Sequence, residues 1–151
     1  MEYQLLSQNQ CIVRLTRGEK LVESLKKLVE KVKIEGGVFF GLGAVDQLEI
    51  AHYNVSDKKY SNKKIEKALE ITNLSGTIGW LLKGDEVQTE ELVVHVHGSF
   101  SDVEMNMVGG HIVERRVSGT LEIWIQTTNK LIKKIHPETG LKIFSLAEEI
   151  K

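Results

Sequence analysis

The clearest periodicity in the chain is helical. From Glu19 to Lys33, Leu21, Leu25, Leu28 and Val32 recur at spacings of four, three and four, with Val22 and Val29 widening the stripe. Lys and Glu fill the remaining positions, so the pattern predicts one amphipathic helix. Thr16, three residues before Glu19, resembles a capping box, and Gly36-Gly37 marks the expected stop. Before the helix, Cys11 to Thr16 alternates loosely up to the Arg17-Gly18 turn, which suits a strand. After Gly37 the chain consists of runs rich in Val, Ile, Phe, Tyr and Thr, broken by Gly, Asn, Asp and Ser. These predict strands near 38–54, 64–72, 75–83, 90–98, 109–114 and 119–127. Leu131 to Ser145 reads as a further strand pair around His136-Pro137 and Thr139-Gly140, and Leu146 to Lys151 as a frayed helical turn. The expected fold class is α+β, a mostly antiparallel sheet with one main helix across a face.

Composition narrows the picture. The 151 residues carry 20 Lys+Arg against 21 Asp+Glu, a formal net charge of -1, with one Cys and one Pro. That length predicts a single domain over 1–151, able to bury roughly 68–70% of its unfolded surface without a disulfide or structural metal. No linker, internal repeat, secretion signal or apolar run of about 18 residues is evident, so the expectation is a cytoplasmic protein with no membrane partner. Balanced charge also removes the usual electrostatic argument for nucleic acid, although a local basic patch is compatible with it.

Candidate chemistry centres on three of the five histidines. His95 and His97 lie in ELVVHVHGSF and His111 in VGGHIVE. In a strand, residues two apart share a face, their α-carbons about 6 to 7 Å apart, so His95 and His97 project together while Leu92, Val94 and Val96 line the other face. The segment from Gly98 to Val108 is short enough to return as a hairpin that sets His111 beside them. Three neutral imidazoles with one open position form the ligand set of a catalytic zinc site, with bonds of about 2.0–2.1 Å; copper, nickel and iron suit the same ligands. An H-x-H pair is equally the ordinary solvated face of a strand, and Gly109-Gly110 is either a close approach to a ligand or backbone, or a bulge. Metal affinity is expected to fall below the histidine pKa, near 6.5 when unperturbed.

Glu122, on the strand face opposite Leu121, Ile123 and Ile125, is a weak candidate for orienting a ligand histidine or handling protons, against the simpler reading of a surface Glu. The glycine-rich run from Gly36 to Val45 fails the dinucleotide pattern, since Asp46 stands where a third glycine belongs. No G-x-S-x-G elbow occurs. His52 and His136 read as structural or surface residues and Cys11 as a small core residue.

Gly41-Leu42-Gly43-Ala44, Leu69-Glu70-Ile71 with Leu74-Ser75-Gly76, His95-x-His97, Gly109-Gly110-His111 and Glu122 occur in an order that resembles the PPC domain, the plants and prokaryotes conserved domain. The resemblance covers nearly the whole chain. It implies a curved, largely antiparallel sheet with helices, assembled as a homotrimer, with a histidine cluster where H-x-H and GGH meet. Plant members of that family carry the domain beside AT-hooks and act as DNA-binding nuclear regulators. Here no Arg-Gly-Arg-Pro core exists, and Lys67-Ala68 replaces the Gly-Arg of a plant partner-binding stretch, Gly-Arg-Phe-Glu-Ile-Leu, that matches 67–72. Two functions follow: a homotrimeric binding module with a three-histidine metal site and a DNA-binding or regulatory role, or a zinc-dependent enzyme acting on a small molecule. A protein partner or small ligand fits the first reading as well.

Overall fold

The computed structural model describes residues 1–83 and 89–146. It is a nine-stranded sheet with one helix: β1 (Glu2–Ser7), β2 (Gln10–Thr16), α1 (Leu21–Val32), β3 (Gly36–Asn54), β4 (Lys59–Ile65), β5 (Leu69–Lys83), β6 (Thr89–Ser101), β7 (Met107–Thr128), β8 (Ile132–Ile135) and β9 (Lys142–Phe144). Strand therefore dominates far more than the expected α+β balance suggests. The helical turn expected beyond Leu146 lies outside the described residues.

Four strands close a ring. β3 pairs with β5 and β7, and β6 pairs with the same two strands, so β7 borders β6 near its start and β3 along most of its length. Closure demands strong curvature, and the register slips that supply it fall at 43–45, 45–47 and 49–50 of β3 against β7. Glycines permit the closest approach: a Cβ on Gly43 would sit 2.2 Å from the Thr120 carbonyl oxygen on β7. β1 and β2 extend the sheet beyond β7, β4 flanks the end of β3, and β8 adds a parallel pairing to β5, the one such pairing among the described residues. β8 and β9 form the expected strand pair, and the His136 and Gly140 amides donate within its turn.

Leu21, Leu25, Leu28 and Val29 of α1 join one apolar cluster with Val13, Phe39, Ile78, Val96, Phe100, Ile112, Leu121 and Ile123 from the strands. Each such fully buried aliphatic side chain contributes about 1.5–3 kcal/mol. The helix ends differ from the expectation. Thr16 and Glu19 do meet, the Thr16 amide donating to Glu19 Oε2 at 2.7 Å, but the helix begins two residues later at Leu21. Its N-terminus is capped from across the fold, where the Glu114 carboxylate of β7 accepts the amides of Val22 (2.9 Å) and Glu23 (3.2 Å). At the other end Lys33, at φ 60°, turns the chain out of the helix before Gly36-Gly37 opens β3.

Candidate metal centre

β6 and β7 pair from Ser101↔Met107 to His97↔His111, where the ladder ends. His97 and His111 are thus directly opposite, and His95 lies two residues back on the same face, beside Thr77 of β5. Gly109 allows this pairing: a Cβ there would stand 2.8 Å from the Gly98 carbonyl oxygen of β6. The glycine pair serves the approach of a neighbouring backbone, one of the two roles expected of it.

The three rings meet, with centroids 5.1 Å apart for His95 and His97, 5.0 Å for His95 and His111, and 5.3 Å for His97 and His111. One ligating nitrogen from each lies within 4.8 Å of the others, and no other such group of ligating side chains occurs among the described residues. Nitrogens around a tetrahedral ion with bonds of 2.0–2.1 Å sit roughly 3.3 Å apart, so ligation would draw the rings inward. The local chemistry fits a metal. Burial, then the neighbouring imidazoles and Lys133, push His95 down to about 4, and burial followed by His97 lowers His111. Both rings therefore stay neutral, the form that ligates, at physiological pH. His111 Nδ1 is buried without a hydrogen-bond partner, an unsatisfied group that an ion or ligand would engage.

Glu122 is not brought to this site. It pairs with Arg14 and Leu42, is exposed, and lies eleven residues along β7 from His111, roughly 35 Å of strand at ~3.3 Å per residue. His52 is exposed on β3, and His136 Nδ1 contacts Thr139 Oγ1 at 3.1 Å within the β8–β9 turn. Cys11 is buried in the core, where desolvation raises its thiol pKa.

Residues that sequence reasoning missed surround the histidines. Tyr60 of β4 places its ring 5.4 Å from that of His111 and 4.7 Å from Tyr53. Lys133 of β8 is buried with its ammonium 4.0 Å from the centre of the Phe144 ring. Past the His97–His111 pair the two strands part, and a cavity of about 550 Å³ opens there, bordered by His95, His111, Tyr53, Tyr60, Lys26 and Ile143. A second cavity, of about 600 Å³, lies at the far end of β7 between the β1–β2 turn and the end of α1, away from the histidines.

The family model for the Plants and Prokaryotes Conserved domain, abbreviated PCC, matches residues 4–129. The chain belongs to the PCC-domain family. Among solved structures, a PPC protein from Pyrococcus horikoshii is similar with a TM-score of 0.80 and 23% identity, covering 99% of this chain and 96% of that one. A "putative DNA binding protein" from Bacteroides thetaiotaomicron has a TM-score of 0.84 and 23% identity over 95% and 96% of the two chains. A metal-containing protein from Archaeoglobus fulgidus has a TM-score of 0.78 and 21% identity over 97% and 99%. At these identities the likeness is one of fold. No curated protein matches the chain. No helix among the described residues is long and apolar enough to cross a membrane.

Proposed function

We propose that this PCC-domain chain is a homotrimeric binding module whose working centre is a divalent ion, zinc by preference, held by His95, His97 and His111. The observation that carries the proposal is the convergence of three imidazole nitrogens from two strands within 4.8 Å. With no carboxylate among the three ligands, a bound dication would keep its full charge and act as a Lewis acid toward an anionic or polar ligand in the open position.

Support for assembly lies on the outer face of β3. Val38, Phe40 and Leu42 are 48%, 60% and 66% exposed, and Phe40 stacks on Trp124 of β7 at 6.4 Å. Such an apolar row on a single chain suits burial against another copy. The row continues across the sheet through Phe40↔Ser75 and Ser75↔His97, which would bring a subunit boundary toward the metal centre. Gly41 itself packs against its own chain, where a Cβ would meet the Glu122 carbonyl oxygen at 2.7 Å and Leu74 Cδ2 at 3.1 Å. Light scattering tests assembly: three copies of the 17.0 kDa chain are expected, and a monomer at micromolar concentration would overturn it.

A DNA-contacting or regulatory role is proposed in restricted form. β4 is an edge strand on which Lys59, Lys63 and Lys64 are exposed and make no ion pair among the described residues. Edge lysines also prevent strand-to-strand aggregation, so binding through them should be weak and sequence-tolerant. Three phosphate contacts imply a loss of roughly 40-fold in affinity between 50 and 200 mM salt. Tight, sequence-selective binding at 200 mM would overturn this reading.

The second reading, a zinc-dependent enzyme acting on a small molecule, draws on the cavity of about 550 Å³ beside His95 and His111, a volume typical of small-ligand sites. Glu122 is too remote to handle protons there.

A further inference from the structure

The cavity beside the histidines has a chemistry of its own. One wall is aromatic: Tyr53, Tyr60 and His111 follow one another at 4.7 and 5.4 Å between ring centres. Leu92, Val94, Ile112 and Ile143 add aliphatic surface to the lining. The Tyr53 hydroxyl is engaged, donating to the Thr139 carbonyl at 2.7 Å, whereas the Tyr60 hydroxyl has no hydrogen-bond partner among the described residues. Glu91 is the one acidic residue in the lining, and its carboxylate is held by Lys83 and Lys142. Lys26 of α1 also lines the cavity and makes no ion pair among the described residues. A dication on three neutral imidazoles, with Lys26 nearby and the Glu91 charge already matched, leaves the space electropositive.

We propose that this cavity receives a small planar aromatic carboxylate, its carboxylate toward the three-histidine metal and its ring against Tyr60. The size suits one such molecule, since ligand pockets of roughly 300–1,000 Å³ are apolar with a few convergent polar groups. The aromatic wall supplies offset or tilted ring contacts, which favour an aromatic over an aliphatic acid of the same charge. Lys26 adds long-range attraction for the anion, and the free Tyr60 hydroxyl can donate to a polar substituent at the cavity mouth. This inference rests on the metal reading and extends it to the class of ligand.

The test uses full-length protein loaded with Co(II), whose visible absorption reports ligands entering the ion's open position. Benzoate and acetate are titrated separately into wild type, Tyr60→Phe and Tyr60→Ala. Benzoate is expected to shift the cobalt spectrum saturably and to bind about tenfold tighter than acetate. Tyr60→Phe should keep that preference, and Tyr60→Ala should lose it while its cobalt spectrum without ligand stays as in wild type. Tyr60 is half exposed on an edge strand, so these variants leave the core intact. Equal affinities for the two acids, or an undiminished preference in Tyr60→Ala, would overturn the inference while the metal site stands. Failure of wild type to take up cobalt at all would instead overturn the metal reading on which it rests.

Discussion

Replacing Arg115 by Met is expected to stabilise the fold. Arg115 sits on β7 with 1% of its surface exposed, and all three guanidinium nitrogens are buried without a hydrogen-bond partner among the described residues. The guanidinium carbon lies 5.5 Å from the centre of the Phe100 ring. Burial holds the group down to about 9 from its ordinary 12.5, with Glu114 acting in the opposite sense, so it remains charged at neutral pH. A fall of that size corresponds to about 5 kcal/mol of lost solvation, of which the desolvated aromatic contact returns about 2–3 kcal/mol. Met has similar length and no charge to desolvate, so Arg115→Met should gain about 2–3 kcal/mol, within the range seen when buried ions give way to apolar side chains. For a domain of this size the midpoint of thermal unfolding should rise roughly 5–10 °C. Urea unfolding followed by circular dichroism, at one fixed protein concentration, measures it. A loss of more than about 1 kcal/mol with an unchanged denaturant slope would refute the reasoning and mean that the guanidinium has a partner, such as buried water or an anion.

Three further outcomes follow from the same contacts. Glu114→Ala should cost about 1–2 kcal/mol in urea unfolding because it uncaps α1, whereas Thr16→Ala should cost under about 0.5 kcal/mol; the reverse order would contradict the assigned cap. Gly76→Ala would place a Cβ 2.2 Å from Phe39 Cζ and 2.6 Å from the His95 carbonyl oxygen, so it should lose about 2–3 kcal/mol and weaken metal binding, and wild-type stability would be inconsistent with that packing. Metal-free protein should lose stability as pH falls from about 6.5 to 4. In that window the unfolded His95 takes up a proton that the folded one, held to about 4, does not, at a cost of up to about 3 kcal/mol. The difference between wild type and His95→Gln in urea midpoints at pH 7 and pH 4 isolates this share, and equal pH profiles would contradict it.

The parts of the fold legible in sequence are those whose side chains alternate between core and solvent. The stripe of Leu21, Leu25 and Leu28 marks α1, and the alternation about Val96 places His95 and His97 on one face, away from the core. β1 and β4 escape notice because EYQLLS is exposed throughout and KYSNKKI nearly so, leaving no period to read. With β4 hidden, its Tyr60 could not be connected to His111. The single strand β7 reads as two because Arg115-Arg116 looks like a solvated break, yet Arg115 points inward and Arg116 pairs with Asp46 at 2.9 Å. Thr16 and Glu19 make the local contact that their spacing suggests, but the helix takes its cap from Glu114, 92 residues beyond Val22. No local pattern announces such a contact. Lys133 is likewise invisible, since it lies in a four-residue strand buried only by long-range pairing.

The most direct measurement is a calorimetric titration of zinc into metal-stripped wild type and His97→Ala. His97 is exposed at the rim of the ring, so its loss leaves the core untouched and removes one of three ligands. Wild type is expected to bind one zinc per chain, and His97→Ala to bind it at least 100-fold more weakly, beyond the 10–100-fold that follows loss of a group merely supporting a ligand. Equal affinity in the two proteins, or no zinc uptake by wild type, would contradict a metal centre at His95, His97 and His111.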